Sequence, residues 1–261
     1  MHFLRLLRAY LRLSALNELQ YRANFLMQVF SSILALVNGL AGLALVFYHT
    51  DNLGGWGPME LLVVMGVYTM IGGLVRAMVQ PNMRRIVDGV REGTLDYTLT
   101  KPEDSQVLVS ITQFELWKLV DVVLGGIVLV VAVLRLGGRI GLEEAAVFAL
   151  VFLCGGLILY SVWLAVTTAA FWVVRMWVVF EMFQRLYEAG RWPVGIYPVW
   201  LRLILTFLVP VAFAVTTPAQ ALTARLNPQT MGLAIGVALM ALIASRALWK
   251  FGLRNYSGAS A

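Results

Sequence analysis

The sequence predicts an all-α integral membrane protein with six transmembrane helices. Of its 261 residues, 60% are hydrophobic and 13% are charged, and the mean hydropathy is +0.81. Soluble domains are about half apolar and a quarter charged, so this composition excludes an ordinary soluble protein. Uncharged runs of roughly 20 residues recur along the chain, and a helix of that length spans a hydrocarbon core of about 30 Å.

The first 23 residues predict an amphipathic helix that lies in the membrane interface. Arg5, Arg8 and Arg12 are three and four residues apart and share one helix face, with leucines between them. Such a helix places arginines against anionic headgroups. The arginines interrupt any apolar core, and no small-residue cleavage site follows, which excludes a secretory signal. We therefore expect a cytoplasmic N-terminus.

Apolar runs place the six spans at about residues 23–48, 59–79, 114–136, 145–174, 201–216 and 231–249. Arg76 lies near enough to the end of the second span to reach the headgroups. We divide the single membrane domain, 1–261, into the interfacial helix (1–23), spans one and two (24–80), a cytoplasmic loop (81–110) and spans three to six (111–261).

The region between the fourth and last spans is irregular. Residues 175–191 contain charged i,i+4 pairs and are expected to form a helical extension on the cytoplasmic side. Pro210 interrupts the fifth span, and Pro218 precedes a short segment, 219–226. A broken span followed by a short helix predicts a partial re-entry from the outer side, which requires shielding of its backbone by protein or water.

The distribution of basic residues indicates the orientation. With a cytoplasmic N-terminus, the outer loops contain only Arg135, Arg139 and Arg225. The other lysines and arginines then lie on the cytoplasmic side, as short loops of membrane proteins prefer. We expect an inner-membrane protein with both termini cytoplasmic. The net charge of +6 follows from this topology and does not indicate nucleic-acid binding.

A charged island at residues 83–102 separates the second and third spans. Apolar side chains recur with helical spacing from Met83 to Val90, Gly93 interrupts the pattern, and a second short helix is expected before Pro102. An amphipathic element between spans is well placed to transfer movement from a soluble partner to the membrane. A solvated loop that only connects two helices is the other interpretation of the same pattern.

Three charges begin the third span: Glu115, Lys118 and Asp121. Their spacing by three places them on one helix face, where they can pair with each other. Charges inside a membrane helix cost about 2.5–3.5 kcal/mol each and need an explanation. A self-contained ion-pair cluster near the cytoplasmic interface is one explanation, and a proton or substrate relay is the other.

The sequence contains no motif for catalysis or nucleotide binding. It has no G-x-x-x-x-G-K-[ST], G-x-S-x-G or H-E-x-x-H, and Cys154 is its only cysteine. Histidine occurs only at His2 and His49, so no metal-binding cluster is expected. We expect no catalytic residues, no metal and no cofactor in this chain.

The island sequence REGTLDYTLTKP resembles the EGTL-acidic-x-x-L-x-x-P signature of type-2 ATP-binding-cassette (ABC) exporter permeases. A second set of residues is similar to one branch of single-chain permeases of about this length: Trp192-Pro193, Ile196-Tyr197-Pro198, Leu201-Arg202, Pro210-Val211-Ala212-Phe213 and Pro218-Ala219. Together these matches extend over most of the chain.

The resemblance implies that the chain forms half of a dimeric pore, with an identical chain or a related permease as its partner. The island would hold a coupling helix that docks on a separate ATPase, of which two copies bind ATP and Mg²⁺. The implied coupling residues are Arg91, Glu92, Gly93, Thr94, Leu95 and Asp96.

By the same resemblance, a re-entrant helix pair with Pro210 and Pro218 closes an outer gate. The exported substrate would be a lipid, glycan, drug-like molecule or peptide taken from the cytoplasm or inner leaflet. The alternative function is an ion-coupled carrier or membrane scaffold that does not use ATP. That alternative requires Asp121 to titrate in a cavity.

Overall fold

The computed structural model describes residues 2–19, 22–137, 141–173 and 176–256, and these ranges are helical apart from short connections. The all-α prediction is confirmed. The helices are α1 His2–Leu19, α2 Arg22–His49, α3 Pro58–Glu92, α4 Asp96–Leu99, α5 Ser105–Ile111, α6 Leu116–Arg135, α7 Leu142–Phe171, α8 Met176–Glu188, α9 Val199–Leu208, α10 Ala212–Leu222 and α11 Pro228–Asn255.

Five helices are long and apolar enough to cross a bilayer, namely α2, α3, α6, α7 and α11. They correspond to the first four predicted spans and the last one. Helix α2 exposes large apolar side chains such as Leu26 and Phe30, each 67% exposed. In a bilayer these side chains face lipid, where apolar exposure has no cost.

Helix α3 is longer than its predicted span. It runs for 35 residues from Pro58 to Glu92 and includes a π-helical turn at Val75–Val79. The first half of the charged island is therefore the end of a membrane helix, whereas the sequence predicted a separate short helix there. A helix of this length extends about 50 Å, which exceeds the hydrocarbon core.

Two ends of the bundle can be defined from α3. The turn end contains the turn Leu53–Trp56, which precedes Pro58, and the island end contains Glu92. At the turn end, Arg225 donates two hydrogen bonds to Glu60, at 2.7 and 2.8 Å, and its guanidinium lies 4.9 Å from the centre of the Trp56 ring. This contact ties the start of α3 to the chain that follows α10.

Glycines set the spacing between α3 and α6. A Cβ atom on Gly66 would lie 2.9 Å from Leu129 N, and one on Gly73 would lie 2.9 Å from Val122 N. On α6, a Cβ atom on Gly125 would lie 2.6 Å from Met70 N. Close approach through small residues is the usual way in which membrane helices gain packing energy.

Helix α8 lies within the bundle. Gln184 accepts a hydrogen bond from Gln80 of α3 at 2.6 Å, and Tyr187 stacks on Tyr68 of α3 with ring centres 5.2 Å apart. As α8 advances toward its C-terminus, its contacts on α3 move back toward the turn end. The two helices are thus antiparallel, and the cytoplasmic extension expected at residues 175–191 is wrong for the described part of that range.

The chain after α8 reaches the turn end. A Cβ atom on Gly54 would lie 2.7 Å from Ile196 Cγ2, so Ile196 is beside the turn that precedes α3. Helix α8 and the residues up to Ile196 therefore make a crossing from the island end to the turn end. This crossing comes before residues 201–216, where the sequence analysis placed the fifth span.

Helices α9 and α10 form a re-entrant hairpin. They are bent by 78° at Val209–Pro210. Helix α9 begins near Ile196, and α10 ends near Arg225, so both outer ends of the pair lie at the turn end. The bend is deep in the bundle, because Val211 contacts Gly190 and Ala214 Cα would lie 2.8 Å from a Cβ atom on Gly155 of α7. A re-entrant segment after the fifth crossing agrees with the predicted fold class.

Helix α1 is present as predicted, and its arginines Arg5, Arg8 and Arg12 are exposed. Its C-terminal half is attached to the segment that starts α6. Ser14 Oγ accepts a hydrogen bond from Phe114 N at 3.3 Å, and the Glu18 carboxylate accepts one from Leu116 N at 2.8 Å. These bonds occupy backbone donors at the start of α6 that have no partner within the helix.

The glycine packing can be tested with two neighbouring residues of α6. Gly125→Ala places a Cβ atom 2.6 Å from Met70 N and 2.8 Å from Gly66 O, so α3 and α6 must separate. We expect a loss of about 1–3 kcal/mol in stability, measured as a lower midpoint of thermal unfolding in detergent micelles. Gly126→Ala is the control, because its nearest atom would be 3.9 Å away. Equal midpoints for the two variants would contradict the close packing.

Candidate functional site

The island contains a sharp change of direction at Gly93. Gly93 has φ +70°, which is the left-handed conformation that glycine adopts without strain, and it ends α3. The backbone N–H groups of Thr94 and Leu95 then donate to the carbonyl of Gly89, at 2.9 and 3.1 Å. The expected interruption at Gly93 and the short second helix, α4, are both present.

The six residues implied as coupling contacts have different environments. Arg91, Glu92 and Thr94 are exposed at the tip of the island. Leu95 is 4% exposed and packs in the hydrophobic core, so its side chain is not on the surface. Burial raises the pKa of Tyr256, and the neighbouring Asp96 carboxylate raises it further.

Tyr97 was not singled out from the sequence. Its side chain is 77% exposed, one residue after Asp96 in α4. An exposed aromatic ring on a polar segment is unusual for a surface that contacts only water. Aromatic residues are enriched in protein–protein interfaces. The sequence signal was present, since Tyr97 is the one aromatic residue of the island.

Asn82 connects the island to the spans, and it too was missed. Its side chain is fully buried. Its Oδ1 accepts hydrogen bonds from Thr112 N and Gln113 N at 3.0 and 2.9 Å, and its Nδ2 donates to the carbonyls of Met78 and Gln113. The amide thus uses both of its ends to fix the segment after α5 against α3.

The other end of α5 is attached to α11. Asp104 caps α5 by accepting a hydrogen bond from Val107 N at 3.2 Å, and its carboxylate pairs with Arg246. Arg246 also donates to Gln106 Oε1 at 2.9 Å. The hydrogen bonds from Arg246 lower the pKa of Asp104, against the opposing effect of its partial burial.

The charge cluster at the start of α6 differs from the expected arrangement. Glu115 lies before the helix with a non-helical backbone, so it does not share a helix face with Lys118 and Asp121. Asp121 pairs instead with Arg76 of α3, whose Nη2 and Nε lie 2.8 and 3.1 Å from Asp121 Oδ2. Lys118 Nζ donates to Gln28 Oε1 of α2 at 2.6 Å.

The prediction of a self-contained cluster is therefore wrong, because the partner of Asp121 is Arg76 of α3. Asp121 is 6% exposed, and a buried carboxylate needs a counter-charge and hydrogen bonds. Arg76 supplies both from a helix 45 residues earlier in the chain.

A polar cavity of about 310 Å³ adjoins this ion pair. Its lining comes from α2, α3, α6 and the end of α8, and it includes Arg76, Lys118, Asp121, Glu188 and Arg191. Along α3 it extends from Met65 to Arg76, about 16 Å at 1.5 Å per residue. Five charged side chains therefore line one space between the helices.

One family model matches residues 33–260 of the chain, and it describes an ABC-2 family transporter protein. The match covers α3 to α11 and most of α2. The chain belongs to this family. It is a permease subunit of an ABC transporter, a multi-pass membrane protein that associates with an ABC ATPase.

A permease subunit of this family is generally not catalytic itself. Comparison with curated proteins and with solved structures gives no significant match. The substrate of this ABC-2 permease therefore has to be inferred from its own residues.

The buried ion pair leads to a stability prediction. Asp121→Asn removes the counter-charge of Arg76, and breaking a buried pair costs about 3–5 kcal/mol. Because 26% of the Arg76 side chain is exposed, we expect the lower end of this range. The double variant Arg76→Gln, Asp121→Asn should recover part of the loss, as measured by thermal unfolding in micelles.

Glu181→Gln provides the matched control for this experiment. Glu181 pairs with Arg185 at 3.4 Å, and the two side chains are 62% and 71% exposed. Exposed pairs contribute little, so its unfolding midpoint should stay at the wild-type value. If Asp121→Asn had no larger effect than Glu181→Gln, the Arg76–Asp121 pair would not be structural.

Proposed function

We propose that this ABC-2 permease is the transmembrane subunit of an ATP-driven exporter, and that the charged island is its docking surface for the ATPase. The continuity of α3 from the intramembrane cavity to Glu92 carries the proposal. A partner that binds the tip of the island then acts directly on a helix that lines the cavity.

The exposed residues of the island define the docking surface. Arg91, Glu92 and Thr94 supply polar contacts, and Tyr97 supplies an aromatic anchor of the kind that dominates binding energy. Leu95 and Gly93 determine the shape of the surface. Leu95 packs into the core, and Gly93 forms the turn. The Asp96 carboxylate lies near Tyr256, which follows α11.

Movement of the docking surface would reach both neighbouring spans. Asn82 joins α3 to the segment that leads into α6, and Arg246 joins α5 to α11. The segments on either side of the island are therefore attached to α3, α6 and α11. We infer that closure of two ATPases on two permease chains, identical or related, moves these helices and opens a path between the chains.

We infer the orientation of the chain in the membrane from its basic residues. The described basic residues at the turn end are Arg135, Arg202 and Arg225, while most of the others lie toward the island end or on α1. Arg139, also expected outside, lies beyond the described residues. This asymmetry favours an inner-membrane protein with the island and both termini in the cytoplasm.

In this orientation the α9–α10 hairpin enters from the outer side. Pro210 and Pro218 are both buried, Pro210 at the bend and Pro218 in α10. We propose that the hairpin acts as the outer gate. Its bend lies deep in the bundle beside Gly155 and Gly190, so its displacement would open the far end of a central path.

The ion-coupled carrier is less well supported. That function needs Asp121 to gain and lose a proton in the cavity. Arg76 holds the Asp121 carboxylate with two hydrogen bonds, so this side chain is engaged in a contact between α3 and α6.

Copurification of the ATPase with the tagged permease tests the exporter proposal. We expect a P-loop ATPase to accompany the wild-type chain, and Glu92→Lys or Tyr97→Ala to reduce the amount by about tenfold, equivalent to about 1.4 kcal/mol. Gly93→Val should have a similar effect, because φ +70° is strained for a β-branched residue. Membrane insertion should be unchanged.

Glu143→Lys is the control for the charge reversal. Glu143 is exposed at the start of α7, at the opposite end of the molecule. The Glu143→Lys variant should copurify with the ATPase in the same amount as the wild-type chain. If all three island variants recovered the ATPase as well as the wild type does, the island would not be the docking surface.

A further inference from the structure

The cavity beside α3 is lined by charged side chains in addition to the Arg76–Asp121 pair. Lys118 and Arg191 add two cations to its lining, and Glu188 adds one carboxylate. The lining therefore holds three cations and two carboxylates. Gln28, Ser31, Ser32 and Thr69 complete the wall with neutral hydrogen-bonding groups.

The extra cations are held by neutral or aromatic groups. Lys118 Nζ donates to the side-chain amide of Gln28, and no carboxylate within the described residues lies at ion-pair distance from it. The guanidinium of Arg191 lies 5.9 Å from the centre of the Tyr68 ring. Each cation is thus oriented toward the cavity, and an entering anion can still approach it.

Placing these cations among membrane-spanning helices costs free energy. Tyr68 is ten residues into α3, about 15 Å along the helix from the turn end, so Arg191 lies between the two ends of the bundle. Arg76 and Lys118 lie toward the island end. Intramembrane cations that face a cavity are functional by default, because their insertion is unfavourable.

The surroundings of the cavity are apolar. Helix α2 forms one of its walls, and the other faces of α2 expose Met27, Phe30 and Val37 at 52–71%. A molecule in the cavity that has an apolar body can therefore leave that body in contact with lipid-facing surface. Both requirements, a polar space with excess positive charge and an adjacent apolar face, fit an amphiphile.

We propose that this cavity binds the anionic headgroup of an amphiphilic substrate, one that carries a phosphate, sulfate or carboxylate on an apolar body. Lys118 and Arg191 bind the headgroup charge, and the Arg76–Asp121 pair fixes the shape of the cavity between them. The identification of this molecule as the exported substrate depends on the exporter function proposed above. The binding site itself does not depend on it.

The cavity volume is consistent with a headgroup. A space of about 310 Å³ is at the lower end of the range for small-molecule sites, which is about 300–1,000 Å³. A space of this size can hold a charged headgroup. The proposal narrows the substrate classes implied by the family.

The test measures lipid binding to the purified full-length chain by native mass spectrometry in micelles. The probes are phosphatidylglycerol and phosphatidylcholine with the same acyl chains, and inorganic phosphate. We expect phosphatidylglycerol to bind at least fivefold more tightly than phosphatidylcholine. Lys118→Gln and Arg191→Gln should each remove most of this preference.

Lys250→Gln is the matched control. Lys250 is exposed on α11 toward the island end, outside the cavity lining, and the change of charge is identical to that in Lys118→Gln. It should keep the preference within twofold of the wild type. An equal loss with Lys118→Gln and Lys250→Gln would assign the preference to the general basic surface and would overturn the proposal.

The remaining outcomes are also decisive. If inorganic phosphate competed as well as phosphatidylglycerol, the site would bind a free anion. That result would overturn the proposal that the ligand is an amphiphile. Absence of any phosphatidylglycerol preference in the wild type would overturn the site. Neither result affects ATPase copurification, so failure of this proposal and failure of the exporter proposal can be told apart.

Discussion

The close contact between α3 and α6 determines where the charges of this membrane protein lie. Gly73 of α3 is so near α6 that a Cβ atom on it would lie 2.9 Å from Asp121 Cβ. One helical turn further along α3, Arg76 reaches the Asp121 carboxylate at 2.8 Å. Because no side chain separates the two helices, the ion pair forms inside the bundle. The cavity then lies on the side of this pair that α2 and α8 enclose.

The sequence predicted the elements whose signals are local. Long apolar runs identified five membrane helices, and Gly93 identified the end of the island's first helix. Helix α8 was misplaced because Glu181, Arg185 and Glu188 interrupt its apolar run. Those residues are exposed, while the other faces of α8 bury Phe180, Phe183 and Tyr187.

The candidate site depends on contacts that spacing cannot reveal. The i,i+3 rule holds only inside one helix, and Glu115 lies before α6 begins. The partner of Asp121 is 45 residues away, and the hydrogen bonds of Asn82 reach about 30 residues along the chain. A motif also does not tell which of its side chains point outward, so Leu95 was taken for a contact and Tyr97 was overlooked.

The π-helical turn Val75–Val79 lies where the cavity and the island meet. A π-turn leaves a carbonyl group without its usual helical donor, and here Ala77 O accepts a hydrogen bond from Glu115 N at 2.9 Å. Asn82 makes a second link to the same segment one turn later. The segment that leads into α6 is thus attached to α3 at two points, both on the island side of the Arg76–Asp121 pair. Displacement of the island cannot tilt the end of α3 without carrying the start of α6 with it, and Lys118 lies in that segment. The helices that would respond to the ATPase therefore hold two of the three cations of the cavity, Arg76 and Lys118.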